Sequence, residues 1–185
     1  MVGRIVAAGP GGLMTTLAGK DTAPSHRWLR LFLVLVAALE FLDALSGVQN
    51  IFTDYHHDTG LLRFAQALTT IDLALAPLLA GAALIFAALG NIRYAILALA
   101  ALTLATWMLQ SLPSIALRGL TLGLNFGTLE ELFHYVVAPV VAAAAALLAL
   151  KDKRLALATL MACLPALIKW MGFVVFFIAI MIYGF

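Results

Sequence analysis

The chain has 185 residues, 64% of them hydrophobic and 11% charged, with a mean hydropathy of +1.08. A soluble domain carries about 25% charged residues, so there is too little polar surface here to face water all round, and lipid must cover most of the molecule. The net charge of +2 does not point to nucleic acid, and one cysteine, Cys163, excludes a disulfide framework and a cysteine-based metal site.

Residues 1–26 read as a cytoplasmic N-terminal segment, ahead of a single transmembrane domain over 27–185. The segment holds Arg4, but Gly9, Pro10, Gly11 and Gly12 break its apolar part. A signal peptide needs an unbroken run of about 7–15 apolar residues. A membrane span needs about 20. The first candidate is Trp28–Val48, which contains Glu40 and Asp43. A polar connector, Gln49–Phe64, carries Asp54, His56, His57 and Asp58. The second span is Ala65–Leu89, with Asp72 and Pro77 inside it. A Gly90-Asn91 turn leads to the third, Ile92–Leu112, with Trp107 and Gln110 near its far end. Residues 113–127 read as an interfacial loop or a short re-entrant segment. The fourth span is Glu131–Leu150, and Lys151-Asp152-Lys153-Arg154 turns it into the fifth, Leu155–Tyr183. The apolar runs are continuous rather than alternating, which excludes barrel strands. The expected fold is all-α: a polytopic membrane protein with five transmembrane helices.

Orientation follows the placement of Lys and Arg. With the N-terminus cytoplasmic, the inner side holds Arg4, Lys20, Arg27, Arg30, Arg93, Lys151, Lys153 and Arg154, and the outer side only Arg63 and Arg118. At about 1.5 Å per residue, Glu40 then lies roughly 12 Å and Asp72 roughly 10 Å from the outer surface. Asp43 and His134 are shallower, and Lys169 sits a little past the midplane. Four spans thus place ionisable groups at overlapping depths in the outer half, and the inner half has none. A charge at the membrane centre costs roughly 2.5–3.5 kcal/mol on insertion scales, so Lys169 is expected to face a partner, with Glu40 or Asp72 the nearest in depth.

The candidate substrate- or ion-binding residues are therefore Glu40, Asp43, Asp72, His134 and Lys169. One acid beside the lysine would be a structural partner. Three leave a surplus to be protonated, metal-bound or hydrated. Glu40 and Asp43 are three apart, hence on one helical face. The metal candidates are His56, His57, Glu131 and His134, of residue types that suit zinc or iron. Glu131-x-x-His134 has the spacing of half a di-iron site, but Thr128-Leu129-Glu130-Glu131 equally reads as a helix capping box. No glycine-rich phosphate loop, nucleophile elbow or deep histidine pair for haem is present, so the sequence indicates no cofactor.

The functional expectation is transport of a small solute or ion, with proton coupling through the surplus acids. One alternative is an intramembrane enzyme acting on a lipid or lipid-linked substrate, with Asp43 and Asp72 as an acid–base pair. Another is an accessory subunit of a larger membrane complex, with Lys169 making an intermolecular ion pair. The expected partners are the lipid bilayer and either further copies of the chain or other membrane subunits. The small-residue texture of the second and third spans is common in small bacterial membrane proteins, which suggests a bacterial inner (plasma) membrane.

Overall fold

The structure, a computed structural model, describes residues 24–52, 60–119 and 126–184. The N-terminal segment 1–23 and the connector histidines His56 and His57 lie outside the described residues. Among the described residues every regular element is helical. The order is α1 (Pro24–Val48) with a 3₁₀ turn (Gln49–Phe52), α2 (Leu61–Ala88), α3 (Ile92–Thr106), a π turn (Trp107–Ser111) and α4 (Leu112–Arg118). Then come α5 (Phe126–Leu132), a second π turn (Phe133–Val137), α6 (Ala138–Leu150) and α7 (Leu155–Tyr183). The two π turns join neighbouring helices without a break, so the elements make five helices long and apolar enough to cross a membrane.

Each π turn has a cause in the sequence. Proline lacks an N–H, and its ring crowds the carbonyl four residues back, so a regular helix cannot pass through it unchanged. Pro113 and Pro139 each stand two residues after a π turn. The wider i→i+5 bonding of a π turn takes up the disturbance, and the helix continues. The third span therefore runs on to Arg118, past the expected end at Leu112. The fourth is helical from Phe126, ahead of the expected Glu131, so helix enters 113–127 from both sides and its described residues are not one interfacial loop. Thr128 lies inside α5, which rules out its expected role as the N-cap of a capping box.

α3 is the central helix and packs against α1, α2, α6 and α7. The sequential pairs α1–α2 and α6–α7 are neighbours, as their short connections require. Five helix ends meet at one end of the bundle: the starts of α1, α3 and α7 and the ends of α2 and α6. The Arg30 guanidinium donates to the Ala88 carbonyl at the end of α2. Arg93, at the start of α3, donates to Asp152 at 3.1 Å and to the Leu150 carbonyl at 3.2 Å, which ties it to the α6–α7 turn. Both arginines supply charge to helix C-termini, where the macrodipole favours it. Gly90 makes the α2–α3 turn with φ +81°, a conformation that glycine adopts without strain. This basic end carries Arg27, Arg30, Arg93, Lys151, Lys153 and Arg154.

The buried core lies in the half of the bundle next to the basic end. Alanine dominates it because alanine lets backbones approach closely. Ala138, Ala142, Ala145 and Ala149 form one fully packed stripe of α6, spaced by four, three and four residues. Ala158, Ala162 and Ala166 repeat every four along α7, with Cys163 beside them, and Ala83, Ala87, Ala95 and Ile96 close the other side. Thr159 is wholly buried among them and satisfies its hydroxyl on the Leu155 carbonyl at 2.8 Å. Towards the other end the packing loosens, and the last turns of α7, including Phe173, Phe176 and Phe177, are exposed.

Candidate binding cavity

Where the alanine packing stops, the five spans part around a cavity of about 480 Å³. That is within the ordinary size range of small-molecule sites. Its floor towards the basic end is apolar: Leu99, Leu102, Ala138, Ala162 and Ala166. Above the floor every span contributes polar side chains. Glu40, Asp43, Asp72, His134 and Lys169 all line this one cavity, together with Glu130, Thr103, Thr106, Trp107, Gln110 and Ser111.

Lys169 reaches α1 from α7. Its Nζ donates to Asp43 Oδ2 at 2.6 Å and lies 3.5 Å from Glu40 Oε2. The spacing of three places both acids on the same face of α1, so one ammonium spans the pair. The closer partner is Asp43, not the expected Glu40 or Asp72. The side chains of Lys169 and Asp43 are 39% and 43% exposed and that of Glu40 is 13% exposed, so the pair slopes from the open part of the cavity towards its wall. The second Glu40 oxygen, Oε1, is buried and has no hydrogen-bond partner among the described residues.

Asp72 lies apart from this pair. It is 2% exposed and held by neutral donors from the third span. Gln110 Nε2 donates to Oδ2 at 2.5 Å and Thr106 Oγ1 to Oδ1 at 3.2 Å. Both carboxylate oxygens are therefore satisfied without a cation, as a buried charge or acid must be. The two donors straddle the start of the first π turn, which also carries Trp107 and Ser111 to the cavity.

The second π turn carries His134, whose ring stands edge-on to Phe133 with centroids 5.6 Å apart. Pro139 leaves the Tyr135 carbonyl without its i+4 donor, and the Trp107 indole N–H donates to that oxygen at 2.8 Å. One π turn thus repairs the other across the cavity wall. One helical turn before His134, the Glu130 carboxylate lies flat against Gly172 of α7. A Cβ at Gly172 would stand 2.8 Å from Glu130 Oε2.

Sequence reading missed Glu130, Thr106, Trp107 and Gln110 as cavity residues. Glu130 was absorbed into the capping-box reading. For the others there was a signal: Thr103, Thr106, Gln110 and Ser114 recur every three or four residues in an otherwise apolar helix. Glu131 is exposed and does not line the cavity, and among the described residues no three His, Cys, Asp or Glu side chains converge as a metal site would require. No family model, curated protein or solved structure matches the chain.

Proposed function

We propose that this multi-pass membrane protein transports a small solute or ion, with the cavity as its binding site. The single observation that supports this reading most is that all five spans bring polar groups to one cavity, with four carboxylates facing one lysine. A structural ion pair needs one acid for one base. Ionisable groups inside spans are costly and mark solute and proton pathways. In this reading Glu40 and Asp72 accept protons or a cation, Lys169 is the counter-ion, and His134 relays protons or gates access. The positive-inside rule puts the basic end in the cytoplasm, so the apolar floor faces inward and the state described is closed on that side. A bacterial inner membrane, with the N-terminus cytoplasmic, is the setting proposed.

Two other readings receive less support. An acid–base pair needs Asp43 and Asp72 within reach of one proton, but Asp43 is bonded to Lys169, and Asp72 to Thr106 and Gln110. An accessory subunit with an intermolecular lysine needs Lys169 to point outward, but it turns into the cavity.

The test is proton flux into proteoliposomes under an imposed gradient, read with an entrapped pH-sensitive dye, for the wild type, Asp72→Asn and Lys169→Met. Loss of flux in both folded variants is the expected result. Wild-type flux in both ends the proposal.

A further inference from the structure

We infer that the ligand of this cavity is a small organic cation bearing an ammonium group, and that Lys169 occupies its place as a tethered stand-in. The inference rests on the reading of the cavity as a solute site and names the class of solute.

The first argument is charge. Glu40, Asp43, Asp72 and Glu130 line the cavity against one ammonium, which leaves a formal excess of three negative charges. The second is the unmet oxygen. Lys169 spans Asp43 and one oxygen of Glu40, yet Glu40 Oε1 is buried with no hydrogen-bond partner among the described residues. A buried acceptor left unpaired bears its full desolvation penalty, and a ligand N–H directed at Glu40 removes it. The third is shape. Glu40 and Asp43 share α1 and one ammonium, Asp72 on α2 and Glu130 on α5 stand apart, and among the described residues no three acids converge as the oxygen ligands of a bare metal ion do. A cation with several N–H donors and an apolar body fits a space of this size. The Trp107 ring, held by its bond to Tyr135, also lines the cavity, and such cations favour aromatic rings. Among the described residues that line the cavity an anionic solute meets no free cation, because Lys169 already spans two carboxylates.

The stand-in role has a consequence opposite to that of a structural lysine. Removing the Lys169 charge vacates the carboxylates and leaves them for the ligand. The full-length protein in nanodiscs is titrated with benzylammonium, benzoate, benzamide and calcium, with binding read from the shift in unfolding temperature. Benzylammonium is expected to stabilise the wild type and the other three are not. Lys169→Met is expected to bind benzylammonium about tenfold more tightly, the effect of removing one competing charge at close range. If that variant does not fold, Asp43→Asn decides, with affinity expected to fall by about tenfold. Binding of benzoate, benzamide or calcium in place of benzylammonium overturns the inference and leaves the solute site standing. Unchanged or weaker binding in folded Lys169→Met, or unchanged binding in Asp43→Asn, also overturns it. No response to any of the four probes overturns both the inference and the reading beneath it.

Discussion

The bond from Trp107 to the Tyr135 carbonyl gives the sharpest test of the wall between the third and fourth spans. It exists because Pro139 withholds the donor that a regular helix would supply at that position. Trp107→Phe keeps an aromatic ring but removes the N–H together with the five-membered ring that carries it. A carbonyl left unmet costs about 1–3 kcal/mol, while interhelical hydrogen bonds measured by double-mutant cycles in a membrane average about 0.6 kcal/mol. The hydrogen-bond share of the Trp107→Phe loss is therefore expected near 1 kcal/mol. In a Pro139→Ala background residue 139 regains its N–H, the Tyr135 carbonyl regains a donor, and the same Trp107→Phe change is expected to cost only the packing lost with the smaller ring. The four proteins of the cycle are compared by reversible unfolding in mixed micelles. A coupling of about 0.5–1 kcal/mol supports the account. Additivity to within about 0.3 kcal/mol, the ordinary behaviour of independent sites, refutes it.

Two further outcomes follow from the packing. Ala145→Leu places a large side chain where the α6 stripe is wholly buried, and overpacking of this kind costs about 1–3 kcal/mol. Thermal unfolding is expected to show that loss, whereas Val140→Leu, on an exposed face of the same helix, leaves stability unchanged. Gly172→Ala forces the Glu130 carboxylate off α7. The atoms that the new methyl meets are the far end of a flexible side chain, so unfolding temperature is expected to hold while benzylammonium affinity falls, and equal affinity would show that Glu130 takes no part.

The fifth span was the most legible element. An apolar run between Arg154 and Gly184, with Lys169 its one charge, leaves little choice of ends, and α7 occupies Leu155–Tyr183 as expected. The third and fourth spans were misjudged at the cavity end: the third was stopped just before Pro113, and the glycine-rich stretch 113–127 kept the fourth from starting ahead of Glu131. The extra residue of a π turn that carries a helix past Pro113 or Pro139 leaves no mark in composition. The depth of the polar layer followed from counting residues, which brought Glu40, Asp43, Asp72, His134 and Lys169 to one level. Counting gives no rotation about a helix axis. The choice of Asp43 by Lys169, and of Gln110 by Asp72, is set by how the helices turn towards one another. Glu130 was hidden for a different reason: a local motif explained it sufficiently, and only its contact with Gly172 shows where it points.

The alanine floor limits the kind of motion this bundle has available. A gate made of Phe or Leu opens by swinging a side chain, on the timescale of rotamer exchange. Of the floor residues Leu99 and Leu102 have rotamers to change, but alanine has none. Beneath the cavity, Ala138, Ala142, Ala162 and Ala166 hold α6 and α7 together through their backbones and methyl groups, so a path between these two helices requires them to separate. That is rigid-body rocking, and it strains the fastenings at the ends of the helices. In the transport reading the barrier sits with Arg30 on the Ala88 carbonyl and Arg93 on Asp152 and Leu150, at the far end of the bundle from the acids proposed to meet the solute.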